Sequence, residues 1–306
     1  MTLDVPDLLP APAGPTRYRV THRTAYRYGQ AMARGNTVAH LAPRDTPWQT
    51  VASSVVVIDP LPDERDEWTD VFGNRVLQFA IHHAHEAMTI TSTSEVDVRV
   101  MPRPDCALTW EQVAAWTDPI VDQYRAPSPL ALPNGAGAEL ERLAADAFLP
   151  RRNVVEAIDA LTATIFHEFV FDPSFSDVST PLAEVVTARR GVCQDFAHLA
   201  LACLRSVGLP ARYVSGYLET EPPPGLAKLV GADASHAWCA VALPGIAGGW
   251  LDLDPTNDQV PPRHHVTVAW GRDYADVAPV RGVVLGPPSD QQLEVAVDVQ
   301  RLDPWG

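Results

Sequence analysis

Residues 191–210 leave this chain few choices of fold. From Cys193 to Val207 the apolar residues Phe196, Leu199, Ala200, Cys203, Leu204 and Val207 recur at the i, i+3, i+4, i+7 spacing of a helix with one buried face. Gly208 stands where a helix C-terminus takes a left-handed residue, and Pro210 cannot continue the helix. Residues 211–218 then read as a strand. A buried helix running straight into strand-rich sequence needs a sheet to pack on, which puts this part of the chain in the α+β class.

Cys193 opens that helix. The first-turn N–H groups have no intrahelical acceptor, and the helix dipole is positive there. Both favour the thiolate, the nucleophilic form of cysteine. A free cysteine in a buried helix is as often a small apolar filler, so this stretch alone leaves both readings open.

The rest of the chain divides into blocks. Residues 1–15 are Pro-rich and acidic and read as a loose tail. Residues 16–103 read as an N-terminal antiparallel β domain. Its strands fall at 18–20, 24–28, 51–58, 76–81 and 88–100, with turns at Gly35-Asn36, Pro60-Leu-Pro62 and Phe72-Gly73-Asn74. The spacing suggests a small sandwich or barrel. The run His82-His83-Ala-His85-Glu86 resembles a metal cluster, but alternation puts His82 on one face and His83 and His85 on the other. No ligand spacing recurs nearby, so it reads as a polar strand edge with no metal.

Residues 104–306 read as the α+β core with C-terminal strands. Helices are expected at 110–116, 138–148, 153–169 (N-capped by Asn153) and 181–186. Strands follow at 213–218, 237–243, 249–254, 265–270 and 293–299.

Composition narrows the function classes. A net charge of −15 argues against non-specific binding to nucleic acid or anionic membranes. The four cysteines show neither the C-x-x-C spacing of a zinc site nor a disulfide framework. There is no basic leader and no run of about 18 apolar residues, so a cytoplasmic protein is expected, with the thiol kept reduced. No calcium-loop pattern occurs, and no cofactor is expected.

A cysteine nucleophile needs a base, and the base an orienting group. His236 begins a strand after a loop. Asp254 ends the next strand, before Pro255-Thr256-Asn257, where a carboxylate could hold an imidazole tautomer. Asp252 competes by sharing a face with Asp254, and Asp254 could equally serve only the Asp-Pro-Thr-Asn turn. His198 is a poor base for Cys193, about 140° away at about 100° per helical residue.

Four segments in order resemble the motifs of the bacterial transglutaminase-like superfamily, a papain-like group. They are Gly191-Val-Cys-Gln-Asp-Phe-Ala-His198, Gly208-Leu-Pro-Ala-Arg-Tyr-Val-Ser-Gly-Tyr217, Ser235-His-Ala-Trp238 and Trp250-Leu-Asp-Leu-Asp-Pro-Thr-Asn257. Tyr26-Arg-Tyr28, Pro43-Arg44, Asp70-Val-Phe-Gly-Asn74 and the segment 271–282 resemble the domain and tail of the bacterial branch. The resemblance implies a β domain followed by a papain-like/transglutaminase-like α+β core, with Cys193 as nucleophile, His236 as base and Asp254 as orienting acid. Cys106, Cys203 and Cys239 match no catalytic position, and Gln194 and Asp195 match without a chemical role. The implied activity is acyl transfer through a thioester on a peptide or protein substrate, as peptidase, amidase or transglutaminase. Residues 219–231 are expected to bear on which acceptor enters. The alternatives are a catalytically idle peptide-binding module and a scaffold whose β domain recruits a partner. The sequence does not give the oligomeric state.

Overall fold

The computed structural model describes residues 14–220, 234–261, 264–287 and 290–302. The expected tail before residue 14 and most of the 219–231 loop lie outside them.

The N-terminal block forms β1 (Thr16–Met32), β2 (Arg34–Ala39), β3 (Gln49–Asp59), β4 (Glu64–Thr69), β5 (Arg75–Ile81) and β6 (His85–Val98). Where the sequence suggests two short strands, β1 is one long strand. Its inner face continues through buried His22 and Thr24, which interrupt the apolar pattern without interrupting the alternation. Gly35 and Asn36 lie inside β2, not in a turn. β4 is exposed along its whole length and therefore has no apolar alternation to reveal it. His82 and His83 sit in the turn between β5 and β6, where the Asp63 carboxylate accepts the His82 N–H and pairs with the His83 ring at 3.1 Å. His85, buried at the start of β6, hydrogen-bonds the His83 carbonyl at 3.0 Å and packs edge-on against Tyr28.

The core follows as α1 (Trp110–Ala115), α2 (Gly137–Ala147), α3 (Val154–Glu168), β7 (Val170–Phe171), α4 (Leu182–Ala188), β8 (Arg190–Gly191), α5 (Cys193–Ser206), β9 (Ala211–Leu218), β10 (Ala234–Ala242), β11 (Trp250–Leu253), β12 (His265–Gly271) and α6 (Tyr274–Val277). The antiparallel sheet β11-β10-β9-β12 carries α5 on one face. Phe196, Leu199, Ala200 and Cys203, the predicted stripe, are almost wholly buried there. The helix ends where the sequence says it should, with Gly208 at φ +83°. Asn153 caps α3 by accepting the Val155 and Glu156 N–H groups.

The last strands, β13 (Val280–Leu285) and β14 (Gln291–Leu302), pair with β2 and β1. This gives two four-stranded sheets, β14-β1-β6-β3 and β13-β2-β5-β4. They enclose a core of Tyr28, Leu41, Ile58, Phe79, Ile81 and Ile90. Reading along the chain groups these strands with residues 104–306, but their hydrogen bonds run to the N-terminal sheets. Alternation marks a strand without naming its partner.

Two side-chain amides join the blocks. Gln49 donates to the Thr267 carbonyl at 2.8 Å and accepts the Thr267 N–H at 2.9 Å. Asn74 does the same for Trp270, at 2.8 and 2.9 Å. β12 is an edge strand, and these amides occupy backbone groups that would otherwise be open for pairing. Arg44 lies 3.2 Å over the Trp270 ring and donates to Asn74. The Pro43-Arg44 and Asp70–Asn74 motifs thus meet at the edge of the core sheet.

Candidate active site

The start of α5 is built around Asp195. Its carboxylate, buried in the first turn, accepts the Val192 N–H at 2.8 Å and the Ser176 hydroxyl at 2.5 Å. A Cβ on residue 191 would lie 2.8 Å from that carboxylate, so only glycine allows the turn to close this tightly. This gives Asp195 a structural role: it fixes the backbone on which Cys193 stands. Cys193 is partly exposed, whereas Cys106, Cys203 and Cys239 are buried. Burial pushes the Cys203 thiol up to about 12, and the Cys239 thiol donates to the Ala197 carbonyl. Both are fillers.

β10 brings His236 opposite Gly216 of β9. A Cβ on Gly216 would collide with the Trp238 ring and the Val266 carbonyl, so the bare position leaves room for the indole. Trp238 stacks on His236 with centroids 6.0 Å apart and donates its N–H to Asp252 at 3.0 Å. Asp252, the competing carboxylate, thus holds the tryptophan behind the histidine. β11 ends at Leu253, and Asp254 turns out of the strand to meet the imidazole.

His236 Nε2 lies 2.8 Å from Asp254 Oδ2, and the ring shares one cleft with the Cys193 thiol. Asp254 is completely buried. Its Oδ1 accepts the Thr256 N–H at 3.0 Å, and its Oδ2 accepts Asn257 Nδ2 at 2.8 Å. Burial alone would lower the His236 pKa, but the bond to Asp254 and the contact with Cys193 overcome it and raise it to about 10. Burial would raise Asp254, and its bonds to two histidines hold it well below the usual carboxylate range. The three predicted residues therefore converge, with a charged imidazolium favoured between sulfur and carboxylate.

The second of those histidines is His265, which opens β12 and which sequence reasoning took only as the start of a strand. Its Nε2 lies 2.9 Å from Asp254 Oδ2. Its Nδ1 is buried with no hydrogen-bond partner among the described residues. Burial lowers its pKa, and a neutral ring donating through Nε2 fits both facts. The ligand atoms of His236, Asp254 and His265 lie within 4.8 Å of one another, close enough to hold a metal. Those same atoms are already committed to each other as hydrogen-bond donors and acceptors.

His198, the competing base, is buried against the Tyr213 ring and accepts the Tyr274 N–H at 3.3 Å. Cys193 and His236 open into a cleft of about 300 Å³ whose far side includes Tyr26 of β1 and Leu293 of β14. The N-terminal domain is therefore one wall of the site.

The family model of the bacterial transglutaminase-like N-terminal region matches residues 18–97, and that of the transglutaminase-like superfamily matches residues 141–255. An uncharacterized protein of Mycobacterium bovis is 40% identical over 302 residues, covering 94% of this chain and 93% of the relative. A stretch of 112 residues, 34% of this chain and 16% of the relative, is 32% identical to a protein-glutamine gamma-glutamyltransferase of Pseudomonas aeruginosa. A crystal structure of a provisionally assigned cysteine protease from Cytophaga hutchinsonii superposes with a TM-score of 0.74 at 23% identity, over 95% of this chain and 92% of that one. At that identity the likeness is one of fold. No helix among the described residues is long and apolar enough to cross a membrane.

Proposed function

This chain belongs to the transglutaminase-like superfamily, and from that premise we propose that it is a cysteine-dependent acyl-transfer enzyme acting on peptide or carboxamide bonds through a thioester on Cys193. The observation that carries this reading is His236, which shares the cleft with Cys193 and lies 2.8 Å from buried Asp254.

The Cys193 thiolate attacks the carbonyl carbon. A C–S bond forms as the carbonyl π pair moves onto oxygen. The N–H of Cys193, first in its helix and without an intrahelical acceptor, is the donor assigned to that oxygen. One such donor is worth about 3–4 kcal/mol. His236 delivers its proton to the leaving nitrogen as the C–N bond breaks, and the thioester remains. Water or an amine then attacks the thioester, with His236 taking the incoming proton, and the C–S bond breaks to release the acid or amide and restore the Cys193 thiolate. The cleft is open at Leu293 and Val295, which favours water and hence peptidase or amidase activity. Transfer to an amine, the activity named for the Pseudomonas aeruginosa relative, is the other fate of the same thioester. Four unpaired cysteines suit a reducing, cytoplasmic setting.

Brief iodoacetamide labelling read by intact mass between pH 5 and 9 tests the proposal. Wild type is expected to gain one adduct, on Cys193, already below pH 7. Cys193→Ala should gain none, and His236→Ala should lose the low-pH reaction. Labelling of Cys193 no faster than that of a free thiol would leave the fold as a peptide-binding module without chemistry.

A further inference from the structure

The cleft wall opposite the nucleophile comes from a sheet that is not part of the core. In the β1–β14 pair, His22, Thr24 and Tyr26 stand directly across from Val297, Val295 and Leu293, so all six side chains share one face. At one end this face is core: Val297 and Val299 are buried with Tyr18 and Val20 against the catalytic domain. At the other end the same face runs out past the edge of the core. Val295 is 50% exposed and Leu293 56% exposed, both lining the cleft that holds Cys193.

The side-chain polar atoms of His22 and Thr24 on this wall are already used. His22 takes the Tyr217 hydroxyl at 3.0 Å on Nδ1 and pairs with Thr24 at 2.9 Å through Nε2. No Asp, Glu, Lys or Arg is among the described residues that line the cleft, although the chain carries 23 basic and 38 acidic residues. Glu294 lies between Leu293 and Val295 in sequence and so points to the other side of the strand. The site thus joins a nucleophile to an apolar, uncharged wall, the usual make-up of a substrate pocket. A charged side chain placed there would shed part of its hydration against the apolar wall and meet no countercharge.

We infer that the β1–β14 face is the specificity wall of the enzyme, and that the acyl donor is a peptide presenting an apolar side chain beside the scissile carbonyl, with charged side chains disfavoured. Leu293 and Val295 determine that preference, with Tyr26 and Val280 completing the wall. The inference rests on the acyl-transfer reading above and adds the substrate class to it.

The test uses the whole protein and acetyl-X chloromethyl ketones, in which X is Leu, Phe, Asp or Lys and carries the reacting carbonyl. The thiolate displaces chloride, forming one C–S bond, and the adduct is counted by intact mass. Iodoacetamide, too small to need the wall, is run beside them on wild type. Wild type is expected to react about tenfold or more faster with the Leu and Phe probes than with Asp and Lys, the discrimination of an apolar pocket. In Leu293→Asp/Val295→Asp that ratio should fall toward one, with Lys overtaking Asp. Leu293→Ser/Val295→Ser, which adds no charge, should reduce the ratio as well and serves if the first variant does not fold. Equal rates for all four probes in wild type, or a ratio untouched by either double variant, overturn the inference while iodoacetamide still selects Cys193. If iodoacetamide itself fails to select Cys193, the acyl-transfer reading falls, and this inference falls with it.

Discussion

His265 governs how firmly Asp254 is held. Three side-chain donors converge on one carboxylate oxygen, from His236, His265 and Asn257, and each helps keep that carboxylate ionised in a site with no water contact of its own. Replacing His265 by Leu removes a donor without opening a polar hole. The Asp254 pKa should then rise, and the acid limb of the Cys193 alkylation profile should move to higher pH, with a rate loss of about tenfold near pH 7. His265→Gln restores a donor and should recover most of the rate. A residue that merely filled space would leave the pH profile where it is, so an unmoved acid limb in His265→Leu refutes the role. The two residues His265 and Asp195 mark the limit of sequence reading at this scale. Cys193, His236 and Asp254 could be found because their elements and order are local or resemble a known motif. His265 acquires its role only when β12 docks beside β9, and no periodicity records that.

Elements are legible where their signals are local. Helix α5 has its stripe, its terminal glycine and the following proline within one stretch, and α3 has its capping Asn153, so both lie within a residue or so of expectation. β4 and β2 carry exposed or mixed patterns and are fixed by neighbours far along the chain. The hold on β12 is of this second kind. Gln49 and Asn74 each satisfy one N–H and one C=O of an edge strand, from a different domain. Truncating either amide leaves two backbone groups without partners where little water can reach, at a cost of about 1–3 kcal/mol. Asn74→Ala and Gln49→Ala should each lower the urea midpoint at unchanged m-value. Both should also slow Cys193 alkylation, because β12 carries His265. Loss of stability with full reactivity in both variants would show that the strand keeps its place without them.

At the scale of the molecule the two ends of the chain lock together, β14 on β1 and β13 on β2, and Glu219 adds a tie by accepting from Tyr18 and Arg301. The fold as a whole buries histidines in opposite charge states, and the pH dependence of stability follows. Burial lowers His22 and His198 to about 4. Below an unfolded value of about 6.5 the unfolded chain binds protons that the folded chain refuses, so stability falls from pH 6.5 toward 4. Each contributes on the order of 3 kcal/mol, since a tenfold difference in proton binding is worth about 1.4 kcal/mol. His236 works in the other direction. Burial opposes its charge, but Asp254 and Cys193 raise it to about 10. Its contribution is complete below about pH 6.5 and is lost as pH rises toward 10. The charge of −15 pulls against the acid limb, because protonating surface carboxylates relieves repulsion. At 0.15 M salt that repulsion is screened beyond about 8 Å, while the buried histidines are not. Urea midpoints at that ionic strength should therefore peak between pH 6 and 7 and fall on both sides. Cys193→Ala should flatten the alkaline limb by removing one of the groups that keep His236 charged, and His22→Gln should flatten the acid limb by about one proton. A midpoint that keeps rising from pH 6.5 to 4.5 would mean that the surface charge, not the buried histidines, sets the stability of the closed fold.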